Sequence, residues 1–185
     1  MVQIGIITTY DPVTDETIEK TSALGTELAA RNCIVITGGN GGLMTVVSEA
    51  VTKHGGITVG IIAHELEDVR EDHRLYNPYN TIKIKRGQTY TARSPPVVRS
   101  SDAVIMVAGG VGTLTELAIA YNLKKPIVVL TGTGLMADKV ASTFPDGYLD
   151  HRKLTRIFFT DDPIGAVEAA IRMSSAGTGS GAKSP

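Results

Sequence analysis

The sequence has one cysteine, no excess of basic residues and no long apolar run, and each shortage excludes a class of protein. Cys33 has no second cysteine to pair with, and its setting in the apolar stretch CIVIT favours a buried side chain in a reducing compartment. The formal net charge of −1 gives no electrostatic reason to expect a nucleic acid partner. No stretch approaches the roughly 18 apolar residues of a membrane span, and no basic region precedes the apolar start, so we expect a cytoplasmic protein without a membrane partner.

Motifs for common cofactors are missing as well. A dinucleotide-binding GxGxxG should follow the first strand, but the predicted strand at residues 3–9 runs into a YDP turn without a glycine. Neither glycine-rich loop leads into a lysine followed by serine or threonine, which excludes a P-loop. His64 and His73 lack the spacing that places two histidines on one face of a helix, so we expect no metal site. The sequence therefore predicts no required cofactor.

Apolar runs alternate with segments of helical spacing along most of the chain. The runs at 102–107 and 126–130 are continuous, which is typical of strands buried on both faces of a parallel sheet. We therefore predict an α/β fold: a single doubly wound, Rossmann-like domain at 1–175, with a mainly parallel sheet and helices on both faces. The remaining residues, 176–185, read AGTGSGAKSP and are expected to form a disordered tail.

Three less regular stretches lie in the middle of the chain. Residues 63–80 are polar without a clear period, which predicts an irregular connection near the ligand edge that could act as a lid. Residues 81–85, TIKIK, alternate and predict a partly exposed strand. Pro95 and Pro96 would suit the first turn of a helix, so we predict a helix at 95–100 with Ser94 as its N-cap.

Two glycine-rich loops, at 38–42 and 109–113, follow predicted strands and precede predicted helices. The start of a helix offers backbone N–H groups without partners and a positive dipole end, so each loop could hold a phosphate. Because the carboxyl ends of parallel strands share one edge of the sheet, both loops can face one crevice. The pattern favours a small phosphorylated ligand. The alternative is that the glycines only end strands and open helices.

The motifs GGNGGLM, GGITVGI and ARSPPVVRSSDAVIMVAGGVGTLTE resemble the LOG (Lonely Guy) superfamily, whose signature is GGGxxGLM followed by PGGxGTxxE. The pattern ARxxxxVRSxDAVIxVxGGxGTLxE is most similar to the branch that includes the molybdenum cofactor carrier protein. Some members carry the label lysine decarboxylase, which would need a Schiff-base lysine on a larger scaffold. Characterised relatives are phosphoribohydrolases that release the base from cytokinin riboside or other nucleoside 5′-monophosphates.

The resemblance implies a catalytic arginine at Arg93 and a catalytic glutamate at Glu116. It also implies that phosphate or nucleotide binding falls on both loops, at Gly39, Gly41, Gly42, Leu43, Met44, Gly109, Gly110, Gly112 and Thr113. The chain departs from the family pattern at several positions, which bear on the cytokinin substrate more than on the fold. Ser94 replaces a lysine, Ala108 a proline, Thr115 the first of two glutamates, and Thr8-Thr9 a glycine-serine pair.

Glu116 has two competing interpretations. With Thr113 it matches a capping box, in which both side chains satisfy backbone donors at the helix start. It could instead face the crevice and stabilise the positive charge that develops on the sugar during N-glycosidic cleavage. Arg93 would then hold phosphate, order the ribose or assist the leaving base, whereas its structural alternative is an ion pair near the surface.

The leading hypothesis is a nucleoside 5′-monophosphate phosphoribohydrolase. The first alternative is a carrier without turnover for a phosphorylated pterin such as the molybdenum cofactor, which would be its cargo; the branch resemblance and Ser94 favour it. The second alternative is a nucleotide-sensing module. The resemblance also implies a homodimer or larger homo-oligomer.

Overall fold

A seven-stranded sheet forms the centre of the molecule. The computed structural model describes residues 1–177, and every strand pairs in parallel with its neighbours, in the order β4-β3-β2-β1-β5-β6-β7. The predicted doubly wound α/β fold is confirmed. The strands are β1 (Gln3–Ile7), β2 (Ile34–Thr37), β3 (Ile57–Ile62), β4 (Ile82–Lys85), β5 (Ala103–Val107), β6 (Ile127–Leu130) and β7 (Phe158–Thr160).

Helices cover both faces of the sheet. They are α1 (Asp15–Ala30), α2 (Leu43–Lys53), α3 (Tyr90–Arg99), α4 (Val111–Asn122), α5 (Leu135–Thr143) and α6 (Pro163–Gly177). One apolar cluster contains residues of α1, α2 and α6, and the other contains residues of α3, α4 and α5. Alternate residues of β5, such as Ile105 and Met106, enter opposite clusters and are fully buried. The continuous apolar run of β5 follows from burial on both sides.

The strand order reverses between β1 and β5, because the chain adds β2 to β4 on one side of β1 and β5 to β7 on the other. Ligands of open α/β sheets bind outside the carboxyl ends of the strands at such a reversal. The ends of β1 and β5 are joined there by the Thr8 hydroxyl, which donates to the Val107 carbonyl at 2.8 Å. This junction is the place in the fold where a ligand is expected.

The start of α3 differs from the prediction. The helix begins at Tyr90, and the Thr89 side chain caps it by accepting from the Ala92 N–H at 3.5 Å. Pro95 and Pro96 therefore lie inside the helix. The predicted helix at 95–100 with an N-cap at Ser94 is wrong. The two prolines are tolerated because the carbonyls they leave without a partner belong to the exposed first turn, where water can reach them.

Other predicted segments are found close to their expected positions. β4 is an edge strand with all four residues exposed. Residues 63–80 contain one turn of 3₁₀ helix at His64–Leu66 and are otherwise irregular. Of the predicted tail, residues 176 and 177 belong to the end of α6, and residues 178–185 lie outside the described residues. Within residues 1–177 no helix has the length and apolar character needed to cross a membrane.

Candidate functional site

A cavity of about 400 Å³ lies at the carboxyl ends of β1 and β5. Its walls come from the loop after β1, the first turns of α3 and α4, and one residue of α2. Arg93 and Glu116 both line it, so the structure brings together the two residues predicted to be catalytic. The complete lining is Thr8, Thr9, Tyr10, Asp11, Met44, Tyr90, Thr91, Arg93, Ser94, Gly110, Val111, Gly112, Thr113, Thr115 and Glu116.

The start of α4 presents backbone donors to this cavity. Gly110 is the N-cap and no side chain caps the helix, so the first amide N–H groups have no intrahelical acceptor. A side chain at Gly110 or Gly112 would meet no atom within 4 Å, which leaves the approach to these amides open. The dipole of a twelve-residue helix favours an anion at this end. The geometry therefore suits a phosphate group.

Of the two interpretations of Glu116, the capping box with Thr113 is not formed. The helix begins two residues earlier, at Val111, and the Thr113 hydroxyl donates to the carbonyl of Thr8 at 2.9 Å. Glu116 Oε1 instead accepts from the Ser94 hydroxyl of α3 at 3.2 Å. The contact with α3 leaves the carboxyl group on the wall of the cavity.

The protonation of Glu116 is balanced near neutral pH. The residue is only 8% exposed, and burial raises the pKa of its carboxyl group from 4.5 to about 7. The charge of Arg93 and the hydrogen bond from Ser94 act in the opposite direction and are outweighed by the desolvation. Both forms of Glu116 are therefore populated at neutral pH.

Arg93 is buried. The alternative interpretation, an ion pair near the surface, is therefore wrong. Its Nη1 donates to the carbonyl of Ile61 at 3.3 Å. Its Nη2 donates to the Asn40 side-chain oxygen at 3.2 Å, in the amide orientation that also lets Asn40 donate to the carbonyl of Gly38. Burial lowers the pKa of Arg93. The guanidinium therefore fixes α3 to the loop after β2 and to the end of β3.

The two glycine loops differ in access. In the first loop, an added Cβ would overlap Ile62 at Gly39, the Arg74 carbonyl at Gly41 and the Tyr10 backbone at Gly42. These glycines allow close packing of the chain, including the 63–80 segment, against the loop. Five of the predicted binding residues lie outside the cavity lining, and four are placed in it. The former are Gly39, Gly41, Gly42, Leu43 and Gly109; the latter are Met44, Gly110, Gly112 and Thr113.

Several residues of the site were missed in the sequence. Gly38 was predicted as part of the first glycine loop, but its role was missed: a Cβ at this position would occupy the place of the Arg93 guanidinium. Ser94 and Asn40 were missed as partners of Glu116 and Arg93, since hydrogen bonds between distant segments leave no local pattern. Tyr10 and Tyr90 were also missed. The sequence did contain indications of both: Tyr10 follows the end of a predicted strand, and Tyr90 lies three residues before the motif arginine, Arg93.

The residue before the second loop departs from the family motif in conformation as well as in identity. Ala108 has φ of +50°, and its N–H donates to Thr133 Oγ1 at 2.9 Å. Proline fixes φ near −65° and has no N–H. The loop of this chain therefore has a conformation that the motif's proline could not adopt.

We expect Ala108→Pro to lower the free energy of unfolding by at least about 2 kcal/mol, through the lost buried hydrogen bond and the forced change of φ. Ala108→Gly, which keeps the N–H and tolerates the positive φ, should stay within about 0.5 kcal/mol of the wild type. Urea denaturation of the three proteins measures both values. Equal stability of Ala108→Pro and the wild type would contradict this role of the Thr133 hydrogen bond.

No group of three or more His, Cys, Asp and Glu side chains within residues 1–177 could hold a metal ion. The cavity lining offers the carboxyl groups of Asp11 and Glu116, the guanidinium of Arg93, hydroxyl groups and backbone amides. These groups suit the binding of a phosphorylated ligand and proton transfer at neutral pH.

Comparisons with known proteins agree with this fold. A model described as the SLOG cluster4 family matches residues 1–158. A cytokinin riboside 5′-monophosphate phosphoribohydrolase of Mycobacterium marinum is 30% identical over 171 residues, which cover 85% of this chain and 87% of that protein.

Two solved structures extend the comparison. The X-ray structure of the structural genomics target TM1055 has a TM-score of 0.82 at 30% identity, covering 93% of this chain and 99% of that one. The molybdenum cofactor carrier protein of Chlamydomonas reinhardtii has a TM-score of 0.74 at 24% identity, covering 94% and 98%, and this likeness shows the fold alone. The predicted resemblance to the LOG superfamily is confirmed, and the chain belongs to the SLOG cluster4 family.

Proposed function

We propose that this protein is a nucleoside 5′-monophosphate phosphoribohydrolase, which cleaves the N-glycosidic bond between the base and ribose 5-phosphate. The observation that carries the proposal is the position of Glu116: its carboxyl group is held by Ser94 at the cavity wall and does not cap α4. The sequence left this choice open. A buried carboxyl group beside free helix amides is the arrangement that the reaction needs.

In the proposed binding mode the phosphate lies against the backbone of Gly110, Gly112 and Thr113, with Gly109 allowing the turn. The sugar then lies near Glu116. Met44 contacts the ligand. The rest of the first glycine loop packs behind Met44 and positions it, through Gly39, Gly41, Gly42 and Leu43. Arg93 uses two of its five N–H groups on the protein, so donors remain for the ligand.

In the proposed reaction, water adds to C1′ of the ribose as the bond to the base breaks. Glu116 acts as a carboxylate: it stabilises the positive charge on the sugar and accepts a proton from the water. Arg93 orders the phosphorylated sugar or supports the leaving base, which takes up a proton from solvent, and Glu116 later releases to solvent the proton it accepted from the water. The products are ribose 5-phosphate and the free base. The named activity of the Mycobacterium marinum relative supports the same bond as the target.

The test is to incubate the pure protein with AMP, GMP, IMP, CMP and UMP and to separate the products by chromatography. We expect at least one nucleotide to yield free base and ribose 5-phosphate in equal amounts. Nucleosides without the phosphate should be poor substrates, because the amides of α4 then have no anion to bind. Release of no base from any nucleotide above the buffer blank would contradict the proposal.

The reaction should accelerate with pH. With a pKa of about 7, the carboxylate fraction of Glu116 in the free protein rises from about a tenth at pH 6 to about nine-tenths at pH 8. We therefore expect kcat/KM to rise about tenfold over this range. Initial rates in buffers of constant ionic strength measure the profile. A kcat/KM that falls with pH would assign Glu116 the role of a proton donor instead.

A second candidate function is a carrier of a phosphorylated pterin such as the molybdenum cofactor, without turnover. The fold likeness to molybdenum cofactor carrier proteins and the serine at position 94 favour it. Protein purified from its native cells would then contain molybdenum by mass spectrometry and show pterin fluorescence. A nucleotide retained by the purified protein would favour the first proposal. The cytoplasmic location and the homodimer or larger homo-oligomer stay predictions.

A further inference from the structure

Two tyrosine side chains lie together on the lining of the cavity. Tyr10 follows β1, and Tyr90 is the first residue of α3. Their ring centroids are 6.4 Å apart, with an angle of 46° between the ring planes. The cavity lining contains no other aromatic side chain among the described residues. The pair therefore gives one part of the site an aromatic surface, made of two rings tilted against each other, that the rest of the site does not have.

The loop that carries Tyr10 is fixed by contacts on both sides of the residue. Thr9 Oγ1 donates to Asp11 Oδ2 at 2.7 Å and accepts from the Asp11 N–H at 3.1 Å. The Tyr10 backbone packs against Gly42, where no side chain would fit. The residue is nevertheless 38% exposed. A rigid backbone that holds an aromatic ring at the edge of a cavity is suited to contact with a ligand.

Tyr90 is held by the neighbouring arginine. The Arg93 guanidinium carbon lies 5.5 Å from the centroid of the Tyr90 ring, in cation–π contact. Burial raises the pKa of the Tyr90 phenol, so the ring is neutral at physiological pH. The Tyr90 ring thus lies between Tyr10 and Arg93, the residue proposed to order the sugar.

We propose that Tyr10 and Tyr90 determine specificity by packing against the flat ring system of the ligand's base. This inference rests on the proposed function, because it assumes a ligand whose phosphate lies at α4 and whose sugar lies at Glu116. The base then remains to be accommodated, and the tyrosine pair is the aromatic surface on the same cavity. Neither residue belongs to the glycine motifs. Tyr10 can therefore act on the base without changing phosphate binding, whereas Tyr90 also acts through its contact with Arg93.

The test compares AMP with ribose 5-phosphate, which has no base. Binding is measured by calorimetry in the Glu116→Gln background, where turnover is suppressed. We expect AMP to bind at least about tenfold more tightly than ribose 5-phosphate, the scale of one base–aromatic stack. Adding Tyr10→Leu should weaken AMP about fivefold or more and leave ribose 5-phosphate within about twofold. Adding Tyr10→Phe, which keeps the ring, should retain AMP binding.

The control is Tyr148→Leu in the same background, which removes a tyrosine outside the cavity lining and should change neither affinity. Tyr90→Leu is measured as a second variant, because its effect on Arg93 should weaken both ligands. Equal affinity for AMP and ribose 5-phosphate, no measurable AMP binding, or an unchanged AMP affinity in Tyr10→Leu would overturn the inference. If Tyr10→Leu weakens AMP binding selectively but the wild-type protein releases no base from any nucleotide, the inference is supported and the proposed function is contradicted.

Discussion

Replacing Glu116 with glutamine is expected to reduce base release at pH 8 by at least about 100-fold, because glutamine can neither accept a proton nor balance the charge on the sugar. Glutamine keeps the shape of the side chain, and its Oε1 can still accept from the Ser94 hydroxyl. The loss should therefore appear in kcat, with KM nearly unchanged.

The same substitution should make the fold more stable at pH 8. Folding raises the pKa of Glu116 from 4.5 to about 7, which means that the folded state favours the protonated carboxyl group. The stability of the wild type is therefore highest, with respect to this group, below pH 4.5 and is lost as the pH rises through 7. Above this pH the buried carboxylate lowers the free energy of unfolding by about 3 kcal/mol. A neutral glutamine has no such effect. We expect the melting temperature of Glu116→Gln to exceed that of the wild type by about 5 °C or more at pH 8, and by no more than about 3 °C at pH 5.

Thermal melts at both pH values and base-release rates at pH 8 measure the two effects. The matched control is Glu19→Gln, which removes an exposed carboxylate from α1 and should change neither quantity. A Glu116→Gln protein that keeps wild-type activity would remove Glu116 from the mechanism. A melting-temperature difference that is the same at pH 5 and pH 8 would show that the carboxyl group is not desolvated.

Replacing Gly38 with alanine is the second change with a large expected effect, although Gly38 does not line the cavity. The new methyl group would overlap the guanidinium of Arg93 and displace it from Ile61 and Asn40. We expect base release to fall by about 100-fold, close to the loss caused by Arg93→Ala, because both changes remove the arginine from its position.

A double-mutant cycle tests this explanation. If Gly38→Ala acts through Arg93, adding it to Arg93→Ala should lower the remaining activity by less than about threefold. Melting temperatures of all variants show whether the proteins are folded at the assay temperature. Losses from the two single variants that multiply in the double variant would show that Gly38 acts independently of the guanidinium.

The fold could be predicted from the sequence because its main determinant is local. A strand such as β5, with all five residues buried, must be apolar throughout, and helices on both faces leave their own period in the sequence. The glycine loops could be located for the same reason. The start of α3 could not, because the cap at Thr89 competes with a pair of prolines that are usually found in a first turn.

The orientation of Glu116 depends on a residue 22 positions away. The pattern TLTE is compatible with a capping box, and only the packing of α3 beside α4 decides that Ser94 reaches the carboxyl group first. Closure of the first glycine loop depends likewise on the 63–80 segment, whose Arg74 carbonyl lies against Gly41. Contacts between distant segments leave no periodic pattern in the sequence. The sequence therefore identified Arg93 and Glu116 but did not predict how their side chains are oriented.

The buried guanidinium of Arg93 also has a consequence for the order of folding. It joins the loop after β2, the end of β3 and α3, and its acceptor at Ile61 is 32 residues away in the chain. These contacts close only after the strands have paired and α3 has docked, since long loops must be ordered first. We therefore expect the cavity to form late in folding, and substitutions at Arg93 to act mainly on the rate at which the native state unfolds.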